Sequence, residues 1–275
     1  MNFLQELDRV FSVLTIIWTV VSVSIGFLAA RWLYLTKHRK IRKILSLKKC
    51  NCKIVLSKYD NREVRKGVSL SVCPIGDIQA AINVTDLIYE TGLYSNQQSI
   101  IYEGRYSDDI TNYNIFCIGG FLANTYSGSL FDQFFPNFKI FATSDKITKA
   151  SEDANQFLSR YFQQSNDKNG FSWGNSEMQE FTINDDERYA IIVKLTNYDF
   201  PNQKHGTVHI LFGDGVEGTL VISKYLLFNY NELYKMVKKH PNHYFIAFKL
   251  KKETMIIDPN SFKDLTDEMF NDNND

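Results

Sequence analysis

Residues Val10 to Ala30 form one run of 21 without a charged side chain, and that run limits what the rest of the chain can be. A helix rises 1.5 Å per residue, so the run reaches about 30 Å, the thickness of a bilayer's hydrocarbon core. A cleaved signal peptide calls for a basic leader, an apolar core of roughly 7 to 15 residues and a small-x-small site. Here the leader carries Glu6 and Asp8 against Arg9, and the run ends in Ala29, Ala30, Arg31 and Trp32. A buried core helix is shorter and shows a polar face. The run is therefore read as a retained transmembrane helix.

Charge sets the expected orientation, because Lys and Arg next to a span stay on the cytoplasmic side. Arg31, Lys37, Arg39, Lys40, Arg42, Lys43, Lys48 and Lys49 follow the span with no acid among them, whereas only Arg9 precedes it. Trp32 and Tyr34 suit the headgroup level. The expectation is a single-pass protein of the cell inner membrane with a cytosolic carboxyl-terminal domain. Its parts are a short extracytoplasmic segment (1–9), the transmembrane helix (10–34), a basic juxtamembrane collar (35–51), an α/β domain (52–258) and an acidic tail (259–275).

The formal net charge of zero hides an asymmetry: residues 1–49 hold nine Lys and Arg against two acids, leaving 22 against 29 for residues 50–275. A basic collar of this kind attracts anionic lipid headgroups at about 1 kcal/mol per Lys or Arg. The acidic remainder excludes nucleic acid as the expected partner, since phosphate neutralisation dominates that affinity. Cys50, Cys52, Cys73 and Cys117 read as thiols of a cytosolic domain. The Cys50-x-Cys52 pair lacks a second Cys/His pair at zinc spacing, so neither metal nor cofactor is expected.

Beyond the collar, short β-branched runs bounded by Gly, Asn or Asp predict strands at 52–57, 68–73, 99–103, 114–119, 139–143, 189–196, 207–212 and 244–250. Helical patterns cover Asp77 to Thr91, Ala123 to Phe134, Glu152 to Phe162 and Thr219 to Lys239. Strand and helix alternate, which predicts an α/β fold with a mostly parallel, Rossmann-like sheet flanked by helices. The segment Gln163 to Asn175 has a linker's composition, and the tail after Asp258 reads as frayed. The aromatic cluster LFDQFFPNFKIF (130–141) is core material.

Ligands of open α/β sheets bind beyond the carboxyl ends of strands, and three strand-to-helix corners here are rich in glycine. The first, Cys73-Pro74-Ile75-Gly76-Asp77, offers Asp77 as helix N-cap. The second contains Gly119, Gly120 and Asn124, the last able to bond a base, a sugar or its own turn. The third, Gly213-Asp214-Gly215-Val216-Glu217-Gly218-Thr219, follows a strand and matches G-x-G-x-x-G. Asp214 and Glu217 would repel a pyrophosphate, and too little chain follows for a dinucleotide half-domain. Close strand–helix packing is the expected role of these glycines, with the two carboxylates left to accept sugar hydroxyls or move protons. His205 and His209, four apart on one strand, stand about 13 Å from each other and cannot share a metal.

Taken together, Gly76, Asp77, Ala80 and Ala81 after one strand, Gly119, Gly120, Ala123 and Asn124 after another, and the late corner Gly215, Gly218 and Thr219 resemble the Rossmann-like domains grouped with nucleoside deoxyribosyltransferases, TIR domains and SLOG-type sensors. Fused to a transmembrane helix, such domains imply a sensor or effector binding a small nucleotide-type ligand in bacterial defence or signalling. The ligand would sit at Gly76, Asp77, Gly119, Gly120, Asn124, Asp214, Glu217, Gly218 and Thr219. Enzymatic branches of the group cleave N-glycosidic bonds with a glutamate near the ribose, for which Glu90, Glu103 and Glu217 are the candidates by placement. A nucleoside or NAD N-glycosidase and a ligand-free membrane adaptor are the two alternatives. Ser22, Gly26 and Ala30, four residues apart, line one face of the span and suit a homodimer.

Overall fold

The computed structural model describes residues 3–47, 51–57, 59–65, 68–91, 98–102, 113–121, 124–143, 161–174, 178–196, 206–258 and 260–271. Cys50, Glu103, Ala123, His205 and residues 152–160 of the expected helix Glu152 to Phe162 lie outside them.

The apolar run is part of a single 43-residue helix, α1 (Phe3–Leu45), about 65 Å long. Its most apolar window has no residue buried in the protein, and the helix is long and apolar enough to cross a membrane. Hydroxyls within it bond inward: Thr15, Thr19 and Ser24 donate to the carbonyls of Phe11, Thr15 and Val20 at 2.7–2.8 Å, so they present no unpaired donor to the surroundings.

Part of the basic collar packs on the domain. Ile41, Ile44 and Leu45 are buried in the domain core, and basic residues before and among them bond to the domain. Lys37 pairs with Glu90 at 2.8 Å, Lys40 donates to Asn231 and Arg42 donates to the Thr91 carbonyl. Helix α1 ends at Ser46, whose φ of 48° is strained for a residue other than glycine. Lys194 holds that turn: its buried ammonium donates to Ser46 Oγ (2.9 Å), the Pro241 carbonyl (2.7 Å) and the Ile44 carbonyl (3.4 Å).

The remaining chain runs β1 (Cys52–Leu56), β2 (Tyr59–Arg65), β3 (Val68–Val72), α2 (Ile75–Glu90), β4 (Gln98–Tyr102), β5 (Asn114–Ile118), α3 (Thr125–Phe134) and β6 (Lys139–Ala142). There follow β7 (Phe162–Gln164), β8 (Asn169–Trp173), β9 (Gln179–Ile183), β10 (Glu187–Leu195), β11 (Val208–Gly213), α4 (Gly215–Phe228), α5 (Tyr230–Val237), β12 (Tyr244–Lys251), β13 (Lys263–Asp264) and α6 (Thr266–Asn271). The central sheet has the order β13-β12-β10-β11-β5-β1-β4. Strands β4, β1, β5 and β11 are parallel neighbours, whereas β10, β12 and β13 are added antiparallel. The α/β class therefore holds, but the sheet is half parallel rather than mostly so.

Alternation along the strands feeds two cores. On one face Ile54, Phe116, Ile192 and Ile246 pack under α2, α4, α5 and the end of α1. On the other, Val55, Ile191, Phe212 and Phe245 meet α3, α6 and a second sheet of order β7-β6-β8-β9. That second sheet replaces the expected linker: Phe171 and Trp173 of Gln163–Asn175 are fully buried aromatics. The expected tail is likewise part of the fold, with Leu265 and Met269 in the core. The predicted helix Thr219–Lys239 is two helices, α4 and α5, that meet at Asn229.

Candidate ligand-binding cleft

The parallel half of the sheet creates a crevice. From β1 the chain passes to α2 on one face, and from β5 it passes to α3 on the other. Such a divergence leaves the carboxyl ends of neighbouring strands uncovered. Ser57 after β1, Gly119 after β5 and Gly213 at the end of β11 meet there, lining a cleft of about 340 Å³. This volume suits a small organic ligand. The second sheet walls the outer side with Phe141, Phe162, Asn169 and Ile183, and Tyr189 of β10 lies against them.

Asp77 is the polar centre of the cleft. It is not the N-cap of its helix: α2 begins two residues earlier behind Pro74, and no side chain caps it. The Asp77 backbone N–H donates to the Pro74 carbonyl at 3.0 Å, which leaves the carboxyl free to turn toward the strand ends. The residue is only 2% exposed, and its Oδ1 has no hydrogen-bond partner. Burial pushes the carboxyl up to about 6, against the opposing pull of its hydrogen bond with Ser57. Ser57 has one hydroxyl proton for two acceptors, since its Oγ also lies 3.1 Å from the Ile118 carbonyl. Cys73, just before α2, is held up at about 11 by burial and by Asp77, so it remains a thiol rather than a nucleophile.

The glycines make room for this arrangement. Gly119 has φ +94°, and a Cβ there would collide with Ser57 Oγ. A Cβ on Gly76 would collide with Val216, so the first turns of α2 and α4 touch. Gly213 and Gly218 oppose each other: a Cβ on Gly213 would lie 2.8 Å from the Gly218 Cα. These two glycines of the G-x-G-x-x-G stretch thus let strand and helix pack closely, the role expected of them.

Asp77, Gly119, Gly120, Asp214 and Thr219 line the cleft; Gly76, Asn124, Glu217 and Gly218 do not. Asn124 is the N-cap of α3. Its Oδ1 accepts from the Ser127 N–H at 3.2 Å, and its Nδ2 lies 3.4 Å from the Val55 carbonyl. Of the ligands open to it from sequence, the side chain has taken its own turn. Glu217 pairs with Arg188 at 3.1 Å and stays largely in solvent. Asp214 precedes α4 without capping it, and its N–H donates to the Tyr189 carbonyl.

Neither described candidate glutamate reaches the cleft, since Glu90 is tied to Lys37 at the opposite end of α2. Among the described lining residues no Lys, Arg or His is present, and Asp77 and Asp214 are the acids. The positive character available comes from the first turns of α2 and α4. His209 sits at the other edge of the sheet, stacked on Phe116 with centroids 4.7 Å apart. Burial and Lys194 hold it well below the usual imidazole range. No three His, Cys, Asp or Glu side chains converge as metal ligands among the described residues. Sequence reasoning missed Ser57, Phe141, Phe162, Asn169 and Tyr189; Ser57 alone carried a readable signal, as the polar residue ending an apolar strand. No protein-family model matches the chain and no curated protein matches it.

Proposed function

We propose that the chain is a single-pass inner-membrane protein whose cytosolic α/β domain senses a small ligand with a nucleoside moiety, as part of bacterial defence or signalling. One observation carries this reading: a buried carboxylate oxygen of Asp77 without a partner in a cleft of ligand size. A buried acceptor left unpaired costs about 1 to 3 kcal/mol, a cost removed when a hydroxyl or N–H donor arrives. Ribose hydroxyls and the exocyclic amines of bases are such donors. The aromatic wall of Phe141, Phe162 and Tyr189 suits a base. Two acids and no described cation in the lining disfavour a polyphosphate, while two helix N-termini suffice for a single phosphate. The excess of Lys and Arg after the span supports the cytosolic placement.

The test is thermal unfolding of the full chain in detergent with adenosine, guanosine, cyclic mononucleotides, NAD and ADP-ribose. A compound at 100 times its Kd adds about 2.7 kcal/mol. Stabilisation of the wild type by a nucleoside or monophosphate, lost in Asp77→Asn, is the expected result; silence across the panel leaves the membrane-adaptor reading. A carboxyl near 6 also supports a second reading, general-acid cleavage of an N-glycosidic bond. Release of free base or nicotinamide by the wild type, absent from Asp77→Asn, would select it.

A further inference from the structure

A second recess opens on the opposite side of the domain, where α1, α2 and α4 meet. It has a volume of about 490 Å³ and is lined by Tyr34, Lys37, His38, Asp86, Tyr89 and Phe228 among others. His38 is 8% exposed, and neither of its ring nitrogens has a hydrogen-bond partner. Its ring packs edge-on against Tyr34 with centroids 3.9 Å apart. An imidazole always carries at least one N–H donor, and burying it unpaired is unfavourable unless something in the recess accepts from it.

Position identifies the class of acceptor. Trp32, Leu33, Tyr34 and Leu35 are the last large apolar side chains that α1 leaves uncovered. His38 is three residues past Leu35, about 5 Å along the helix, and so stands at headgroup level. Phe228 and Tyr89 are exposed at the same recess, adding apolar surface beside it. Charge then narrows the class. Lys37 is already paired with Glu90 at 2.8 Å, whereas Asp86 makes no ion pair with a described residue. Among the described lining residues one lysine, Lys37, stands against two acids, Asp86 and Glu90, which opposes an anionic headgroup and suits one carrying its own ammonium.

We infer that this recess binds the headgroup of a zwitterionic phospholipid, the phosphate accepting from His38 and the ammonium paired with Asp86. The inference rests on the reading of α1 as a membrane span. It adds one seated lipid to the attraction of anionic lipid expected of the collar, whose Lys37, Lys40 and Arg42 are engaged by the domain.

The full chain is reconstituted in vesicles of equimolar phosphatidylethanolamine and phosphatidylglycerol, floated, and extracted in mild detergent for native mass spectrometry. The wild type retains about one phosphatidylethanolamine per chain in preference to phosphatidylglycerol. His38→Phe, which keeps the ring against Tyr34, lowers that occupancy about tenfold. Asp86→Asn, at an exposed position, abolishes the preference between the two lipids. Soluble glycerophosphoethanolamine at equal concentration does not displace the lipid; displacement would assign the recess to a soluble headgroup metabolite and overturn the lipid assignment. A chain that floats but retains both lipids equally, or whose retention ignores both substitutions, overturns the headgroup site alone. A chain that does not float overturns the span, and the site with it.

Discussion

Asp77 holds a proton more tightly when the chain is folded than when it is unfolded, with a carboxyl at about 6 against an ordinary value of 3.8. The folded state therefore binds more protons between those values, and stability falls as pH rises through that window. The contribution is fully present below about 3.8 and lost above about 6. Asp77→Asn keeps the shape and removes the buried charge. The variant should unfold at a higher temperature than the wild type at pH 7 without ligand, and its melting temperature should change less between pH 4 and 7. A wild-type excess in stability at pH 7 would mean that the carboxylate is paired rather than orphaned. Lys194 presents the opposite case, a buried amine that burial pulls down to about 7 and whose three acceptors close the end of α1. Lys194→Ala removes three hydrogen bonds, although Ser46 Oγ and the Pro241 carbonyl still bond to each other at 3.2 Å, and should cost about 1 to 3 kcal/mol in chemical denaturation. The identities of both residues were on view in the sequence but their roles were not. Asp77 follows Pro-Ile-Gly and mimics an N-cap, which only the register of the first helical turn contradicts. Lys194 sits inside the apolar run YAIIVKLT, where the charge reads as an edge of the strand until α1 is seen to end above it.

At the scale of elements, the join between α1 and the domain changes what a soluble fragment must include. Ile41, Ile44 and Leu45 are core residues, and Ile44 and Ser46 supply acceptors to Lys194. A chain starting at Cys50 loses all of these, whereas one starting at Leu35 keeps them. Burial of a single large aliphatic side chain stabilises by roughly 1.5 to 3 kcal/mol. The shorter chain should therefore melt far lower or fail to fold, while the longer one gives a cooperative transition; circular dichroism on the two fragments decides it. The spacing of Ile41, Ile44 and Leu45 was readable as a helical stripe, but eight basic residues around it drew the reading to lipid. The second sheet was hidden for a different reason. β8 reads NGFSW and β9 reads QEFTI, strands so short and polar that Phe171, Trp173 and Phe181 are their main hydrophobic signal. Since this sheet supplies the outer wall of the cleft, missing it left only the glycine-rich floor in view. That floor was legible because tight corners need glycine wherever the sheet places them.

The whole molecule is an apolar helix continuous with a folded domain, with no flexible joint between Phe3 and Leu45 among the described residues. On the proposed reading of α1 as a membrane span, any contact between two such helices is passed to the domains as a fixed orientation rather than as loose proximity. Ser22, Gly26 and Ala30 offer such a contact, because small side chains four residues apart let helix backbones approach. A Cβ added at Gly26 meets nothing within 4 Å in the single chain, so a larger residue there does not disturb the protomer. Gly26→Ile also keeps the span apolar enough to insert. If two copies meet on this face, the added side chain must separate them, and cross-linking in membranes should shift from dimer to monomer while the melting temperature of the domain stays the same. The control is Ile17→Phe, which also adds apolar bulk but lies nine residues from Gly26, on the opposite face of the helix, and should leave the dimer intact. Loss of dimer in both variants would indicate a general effect of bulk, and loss in neither would show that the spans do not meet at Gly26.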